Sequence, residues 1–195
     1  MKHPKLFQKI HAIAPISEAQ WGRAEALATE QAIEKKGLFI RPGDPADRFG
    51  VVLQGVFRAV RVSAKGEETV KAFRAELELI GPYVEILQGI PSLTAIEALE
   101  PSRVLAFRTR DFQALEAEHA SWSLLARRVA EYHYILKERR EQEFLDLSAD
   151  ERLDGFWAEH PHLEGRVPQR EIAAYLGITD VALSRIMSRR RKRGG

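Results

Sequence analysis

Residues Gln169–Arg193 read QREIAAYLGITDVALSRIMSRRRKR, and the fold of the whole chain turns on them. The pattern is two short helices joined by a tight turn. Pro168 presets the first helix. Ile172, Ala173 and Leu176 give it an apolar face at helical spacing. Gly177 sits where the chain must stop one helix and reverse, a position that favours φ > 0. Ile178 can plug the space between the helices, and Thr179 is a suitable N-cap for the second. In that second helix Leu183, Ile186 and Met187 face inward. Val181, Ser184, Arg185 and Ser188 face outward at i, i+3, i+4, i+7. Ala173, small and near the crossing, lets the two helices approach closely.

This pattern resembles the helix-turn-helix of bacterial transcription regulators. A helical hairpin inside an ordinary bundle shares the spacing, but it has no need of Arg185 followed by Arg189, Arg190, Arg191, Lys192 and Arg193. Charge is distributed accordingly. The net charge of the chain is +2. Residues 165–195 carry eight Arg/Lys and two acids, Glu171 and Asp180, for a local charge of +6 that leaves −4 on the rest. A basic end on an acidic body is the electrostatic footprint of a polyanion binder. The competing reading is a solvated basic tail, which applies in part from Arg190 onward. With the helix pair beside it, double-stranded DNA is the expected partner.

The chain has 195 residues and no cysteine. That length suffices for one large domain or two small ones with real cores. Disulfides, thiol catalysis and cysteine-bound metals are excluded. No stretch is apolar for the length of a membrane span. The start, MKHPKLFQKIHAIAP, lacks a signal-like apolar core, so a cytoplasmic protein is expected. No Ser-His-Asp ordering, phosphate loop or metal-spaced histidine pair is present. Asp44 and Asp47 belong to a turn-like stretch, where acids are common. His160 and His162 flank Pro161 without a convergent carboxylate pattern and read as solvated. No enzyme activity, cofactor or metal is expected.

Residues 4–33 read as helical and amphipathic, with Leu6, Phe7, Ile10, Ile13, Trp21 and Leu27 as apolar positions. Pro15 divides them, and Ser17 with Glu18 can cap a second helix. From Gly37 to about Arg108 short β-branched and aromatic runs are broken by Gly, Pro and Asp. Phe57–Val62 alternates as a half-buried strand does, and several such strands suggest a barrel or sandwich. The segment GLFIRPGDPADRFGVVLQGVFRAV is similar to the opening of a cyclic-nucleotide-binding domain. It shares Gly37, the turn Pro42-Gly43-Asp44, the strand Val51-Val52-Leu53, and Gly55. Followed by a long helix and a helix-turn-helix, the order resembles that of the CRP/FNR regulators over roughly residues 20–190. The resemblance implies an α+β fold: an N-terminal β jelly-roll barrel with helices (residues 1–110), a short helix and a long dimerisation helix (111–147), and a winged helix-turn-helix (148–195).

In cyclic-AMP-binding relatives the ligand cassette, here within Leu79–Leu99, opens with Gly-Glu and ends with an arginine followed by Ser or Thr. Here Gly81 is followed by Pro82, which also removes a backbone donor. Ser92 falls at the arginine position, with Leu93 after it. Both anchors are missing, and an unpaired buried phosphate is very costly. Glu76, Glu78 and Glu85 nearby would repel it. Cyclic AMP is therefore not expected to bind in the family's manner, and Tyr83 and Leu93 are expected to fill the pocket. Arg58, Arg61 or Arg74 could serve another anion, although arginines on strand surfaces are usually solvated.

Residues Asp111–Glu118 can form a short helix with Thr109 as cap. A long helical pattern then runs from about Ser121 to Leu147. Trp122, Leu125, Val129, Tyr132 and Leu136 form a seam with alternating steps of three and four. About 27 residues of helix span roughly 40 Å. Such a helix is either an amphipathic core helix or, as the family resemblance implies, a parallel dimer helix. Ser148-Ala149-Asp150-Glu151 reads as a capping box. Glu164–Val167 leaves room for one tight hairpin, a reduced wing.

The expected function is that of a sequence-specific regulator, a homodimer whose second helices enter successive major grooves. Arg185 is the expected reader of guanine O6 and N7. Val181 could touch a thymine methyl, and Ser184 and Ser188 bases or phosphates. Asp180 could accept from cytosine N4 or favour the helix N-terminus. Gln169, Arg170, Thr179, Arg189 and Arg191 are the expected phosphate contacts. By family resemblance the regulator would be an activator touching RNA polymerase through the loop His160–Arg166. DNA binding without an effector is expected; the alternative is a regulator gated by a different small ligand in the barrel.

Overall fold

The computed structural model describes residues 1–62 and 68–193, with the backbone alone for Lys192 and Arg193. Two helices, α1 (Pro4–Ile13) and α2 (Glu18–Leu27), lead into eight strands: β1 (Thr29–Ile33), β2 (Leu38–Ile40), β3 (Arg48–Gln54), β4 (Phe57–Val62), β5 (Glu68–Arg74), β6 (Leu79–Ile80), β7 (Thr94–Ala98) and β8 (Ser102–Arg108). A short helix α3 (Tyr83–Gln88) separates β6 from β7. Then follow α4 (Thr109–Glu118), α5 (Ala120–Asp146), α6 (Ala149–Glu159), a 3-10 turn at Pro161–Leu163, α7 (Gln169–Leu176) and α8 (Asp180–Arg193).

The strands form two four-stranded sheets, ordered β1-β8-β3-β6 and β2-β7-β4-β5. Every pairing is antiparallel. Their inner faces close on Phe39, Ile40, Val52, Phe57, Ile80, Ile96 and Val104, all buried. The outer face of the first sheet, through Val51, Leu105 and Phe107, carries the helices: Leu6, Ile16, Trp21, Leu115, Trp122 and Leu125 bury against it. The outer face of the second carries the C-terminal module. Val60, Val70 and Phe73 share a core with Phe156, Ile172, Ala173, Leu176, Leu183 and Ile186.

Strand geometry explains that second docking. On β4 Phe57 points into the sandwich while Arg58 and Val60 point outward. On β5 the register slips at Lys71, so that Ala59 lies opposite Ala72 and Val60 opposite Val70. This bulge puts Val70 and Phe73, three residues apart, on the same outer face. Phe73 then meets the rings of Phe156 and Tyr175 at 5.9 and 5.4 Å. The expected half-buried strand is thus covered on both sides.

Four local expectations need correction. Thr29–Ile33 is a strand, not the end of a helical segment, because it fills the edge of β8 in an unbroken five-residue register; Ser17 still caps α2, in a capping box with Gln20. Thr109 is the first residue of α4 and makes no cap; its hydroxyl donates to the Asp47 carbonyl at 3.0 Å. No strand forms at Glu164–Val167. The N–H groups of Arg166 and Val167 donate back to the Leu163 carbonyl at 3.0 and 3.3 Å, closing a turn that passes Gly165 at φ 74°, so a β-wing is absent among the described residues. Finally, the helical seam divides. Trp122 and Leu125 are buried in the cluster that holds α1 and α2, Val129 packs partly against it, and only beyond Val129 does the seam turn to solvent, with Tyr132 58% exposed.

Candidate nucleic-acid interface

α7 and α8 are built as the sequence requires. Ile172, Ala173 and Leu176 are buried on α7, and Leu183 and Ile186 on α8, with Met187 partly so. Gly177 stands at φ 70°, ψ 31°, the left-handed region that glycine adopts without a Cβ penalty. A Cβ there would also lie 2.8 Å from Cε1 of Phe144 on α5, a ring 42% exposed that can shift aside, so it is the dihedral that demands glycine. The Thr179 hydroxyl accepts from Ala182 N–H at 3.2 Å and caps α8. Ser148 and Glu151 form the expected capping box of α6.

The C-terminal carbonyls of α7 are held by two arginines from neighbouring helices. Arg140 of α5 donates to the Tyr175 carbonyl at 2.9 Å and stacks 4.0 Å over the Tyr175 ring. It also bonds the carbonyls of Val70 and Lys71 on β5. Arg152 of α6 donates to the Leu176 carbonyl at 3.2 Å and to that of Leu147 at 2.6 Å. Cations at this end oppose the negative pole of the helix.

Two further arginines clasp the module to the barrel. Arg58 on β4 lies 2.6 Å from Glu171 of α7 and 2.8 Å from Glu97 of β7. Arg166 reaches Glu76 at 2.7 Å and Glu100 at 2.6 Å. The Arg166 guanidinium holds the Glu76 carboxyl down to about 2, and the two carboxylates raise Arg166 in turn. Glu171 is 4% exposed. Its burial was hidden in the sequence, where an acid in the first turn of a helix reads as a solvated one; the only clue is its place beside Ile172 on the apolar face.

The ten residues expected at the interface all lie on the outside of this helix pair. Gln169, Arg170, Thr179, Asp180, Val181, Ser184, Arg185, Arg189 and Arg191 are exposed, and Ser188 is half-buried. Val181, Ser184, Arg185 and Ser188 share one face of α8. Val181 is 61% exposed, unusual for an apolar residue on a helix packed so well on its other side. Among the described residues Arg185 and Arg191 have no ion-pair or hydrogen-bond partner. Arg170 touches Glu171 at 3.1 Å, and Arg189 lies 3.9 Å from Asp150. Arg190 differs from the tail expected around it. Its guanidinium is seized by Asp150 and, at 2.5 Å, by Asp154 of α6, so it ties α8 down. The side chains of Lys192 and Arg193 lie outside the described residues.

The loop expected to meet polymerase is only partly free. Arg166 is spent on its clasp. His160 stacks on Phe156 at 5.2 Å, and burial pushes its pKa down. Pro161, His162, Glu164 and Gly165 remain exposed.

The cassette of the barrel also departs from expectation. Tyr83 and Leu93 do not fill a pocket: they are 40% and 43% exposed. The interior is occupied instead by the aromatic and aliphatic side chains of the sandwich core. Ser92 is buried, its hydroxyl donating to the Thr94 carbonyl at 2.8 Å. Of the three arginines, Arg58 serves the clasp, Arg74 donates to the Phe73 carbonyl at 2.8 Å, and Arg61 is exposed. They do not converge. Glu76 and Glu78 are likewise engaged, with Arg166 and with Ala75 N–H at 2.7 Å.

Comparison with known proteins agrees with this architecture. Residues 30–119 match the cyclic nucleotide-binding domain family. No curated protein matches the chain by sequence. Among solved structures it is similar to FixK2 from Bradyrhizobium japonicum, at 21% identity over 86% of both chains with a TM-score of 0.72. It is similar to the c-di-GMP-responsive regulator CLP of Xanthomonas campestris, at 16% identity over 91% of this chain and 93% of that one, TM-score 0.70. The catabolite activator protein of Thermus thermophilus covers 92% of this chain with 85% of its own length, at 20% identity and a TM-score of 0.56. The chain therefore has the fold of the CRP/FNR transcription regulators, with a domain of the cyclic nucleotide-binding family at its centre. No helix among the described residues is long and apolar enough to cross a membrane.

Proposed function

We propose that the chain is a sequence-specific DNA-binding transcription regulator that works as a homodimer and needs no cyclic nucleotide. One observation carries the reading. Arginines with structural work, Arg58, Arg140, Arg152, Arg166 and Arg190, each donate to carboxylates or carbonyls, Arg152 through its terminal nitrogens only. Arg185, in the middle of the outward face of α8, does not. A free fork beside Val181, Ser184 and Ser188 has the chemistry of base readout in a major groove. Arg189, Arg191, Arg170, Gln169 and Thr179 border it and suit phosphate contacts.

Homodimerisation rests on α5. One side of it bears the exposed Tyr132 and Ile135, with Leu136 half-buried beside them. Pairing there would set two α8 helices on half-sites about 34 Å apart. Activation, by contact of Pro161–Gly165 with RNA polymerase, is the preferred mode of control. Effector independence is supported by Pro82 and Ser92 at the anchor positions and by the filled interior of the barrel.

The test is selection of bound sequences from a random DNA pool with no ligand added. Recovery of a two-fold symmetric motif is expected. Arg185→Ala should then cost about 1–3 kcal/mol at a single base position of each half-site. A uniform loss over all sequences would make Arg185 a phosphate contact, and failure to enrich any motif would overturn the reading. Enrichment only with cyclic AMP present would overturn its ligand independence.

A further inference from the structure

Arg189–Arg193 is a run of cations, and a helix cannot aim all of them at one ligand, because successive side chains point about 100° apart. Arg190 follows Leu183 at i+7 and Ile186 at i+4, so it stands over the buried side of α8, about 140° around the axis from Arg185. There it meets two carboxylates that α6 offers at i, i+4, those of Asp150 and Asp154. Its Nε donates to Asp150 Oδ1 at 2.7 Å, and its Nη1 to Asp154 Oδ1 at 2.5 Å. Its Nη2 donates to the Asp150 carboxylate as well, and to the Asp150 carbonyl at 2.7 Å. Glu151, between the two aspartates in sequence, is spent on Ser148, whose hydroxyl donates to it at 2.7 Å. The neighbouring Arg189 lies 3.9 Å from Asp150, beyond hydrogen-bond reach.

Every nitrogen of the Arg190 guanidinium is thus committed to acceptors on the protein itself. A DNA phosphate presents the same kind of charged oxygen, so exchanging the aspartates for it brings no new bond. The apolar stripe of α8, Leu183, Ile186 and the partly buried Met187, resists separation from α7 better than rotation about the helix axis, because apolar contact is non-directional. The arginine fork is directional. A roll of about 20° would carry a group on the helix surface, about 5–6 Å from the axis, through about 2 Å, which is enough to break a bidentate bond to a base edge. We infer that Arg190 is a positioning residue for DNA readout: pinned by Asp150 and Asp154, it makes no phosphate contact itself and sets the roll of α8 at which Arg185 meets a base. This rests on the DNA-binding reading above and deepens it. The basic run is divided by role, with Arg189 and Arg191 left to the phosphates.

The experiment starts from the motif that the wild type selects. Binding of the wild type, Arg190→Met, Asp150→Asn/Asp154→Asn and Arg191→Ala is measured on that motif and on the same motif changed at the base that Arg185→Ala identifies, over a range of salt concentrations. Arg190→Met should keep the wild-type dependence of log affinity on log salt. Its preference for the correct base should fall by about fivefold or more, fivefold being the low end of what a bidentate contact contributes. The asparagine pair, which keeps Arg190 but unpins it, should lose base preference in the same way. Arg191→Ala should instead weaken all sequences alike and flatten the salt slope by about 0.9 for each copy bound. If Arg190→Met flattens the slope as Arg191→Ala does, Arg190 is a phosphate contact and the inference is overturned. It is overturned equally if the asparagine pair keeps the wild-type base preference. Asp154→Asn alone alters a side chain that is 70% exposed and serves if the other variants unfold; a lowered base preference supports the inference and an unchanged one overturns it. Should the wild type select no motif, the DNA-binding reading fails and takes the inference with it, whereas a wild-type motif with unmoved variants sinks the inference alone.

Discussion

Arg58→Met isolates the clasp between the barrel and the helix pair. In the structure the Arg58 side chain is 12% exposed, that of Glu171 is 5% exposed, and their charged atoms are 2.6 Å apart. Methionine keeps the stem and its packing but removes the guanidinium. Glu171 then retains only Arg170, at 3.1 Å through a side chain that is 68% exposed. Breaking a buried ion pair by deleting one partner costs about 3–5 kcal/mol. The residual Arg170 contact brings this case just below that range, to about 2–3 kcal/mol. Glu171→Gln removes the charge with much less cost, and in the double variant the carboxylate left without Arg58 in the clasp is the more exposed Glu97 rather than the buried Glu171, so the two changes should be non-additive, by about 1–2 kcal/mol. Urea denaturation of the four proteins measures the cycle. DNA affinity provides the functional readout, and it should fall by the same factor on specific and nonspecific sequences, because Arg58 touches no base. Additive effects, or a loss under about 0.5 kcal/mol for Arg58→Met, would refute the claim that Arg58 compensates the buried Glu171.

Gly177→Ala should destabilise by roughly the 1 kcal/mol of a left-handed alanine, with only a small further part from displacing the exposed Phe144 ring, whose Cε1 lies 2.8 Å from the new Cβ. Adding Phe144→Ala, read by the same denaturation assay, should relieve the steric part and leave the dihedral part. Acid should loosen the protein in two stages. His133, held neutral with its pKa down at about 4 by burial and the neighbouring Arg74, makes protonation favour the unfolded chain as pH falls from 6.5 towards 4. Glu76, held at about 2 by Arg166, contributes stability that is present above 4.5 and lost as pH falls from there towards 2. The Glu76 carboxylate is 39% exposed, which limits its contribution to about 1 kcal/mol. His133→Gln should flatten the upper part of a stability–pH profile and Glu76→Gln the lower; profiles parallel to the wild type would contradict both assignments.

Much of the fold was legible because it rests on local rules. The turn at Gly177, the Thr179 cap, the capping box at Ser148 and the inward set Ile172, Leu176, Leu183 and Ile186 follow from spacing and backbone chemistry alone, and the fold places them accordingly. What was hidden depends on partners distant in sequence. Thr29–Ile33 has no strand alternation to read; an open edge on β8, more than 70 residues later, recruits it. Trp122 and Leu125 fit a dimer seam as well as they fit a core, and only the arrival of α1 and α2 on the same face decides. Arg58, Arg166 and Glu171 look like solvated surface charges until the helix pair folds back onto β4 and β5. Glu85 looks repulsive until its loop supplies two donors, the Thr94 hydroxyl and Leu93 N–H.

The helix pair is therefore not a module hung on a flexible end. Its turn rests on Phe144, its first helix is capped by Arg140 and Arg152, and its second is tied to α6 by Arg190. Phe144 and Arg140 both belong to the last two turns of α5, while Tyr132 and Ile135, one to three turns earlier on the same helix, are the exposed residues proposed to meet a second copy. An α-helix transmits displacement along its axis with little loss, since each residue is hydrogen-bonded to the next turn. Pairing of α5 would then fix the direction in which each Gly177 turn, and with it each Arg185, is presented. The other face of α7 is fixed independently by Arg58 and the shared core of Val70 and Phe73. If α5 pairs as proposed, barrel and dimer helix would both grip the proposed reader, and dimer formation, set by the concentration of the chain, would control its presentation.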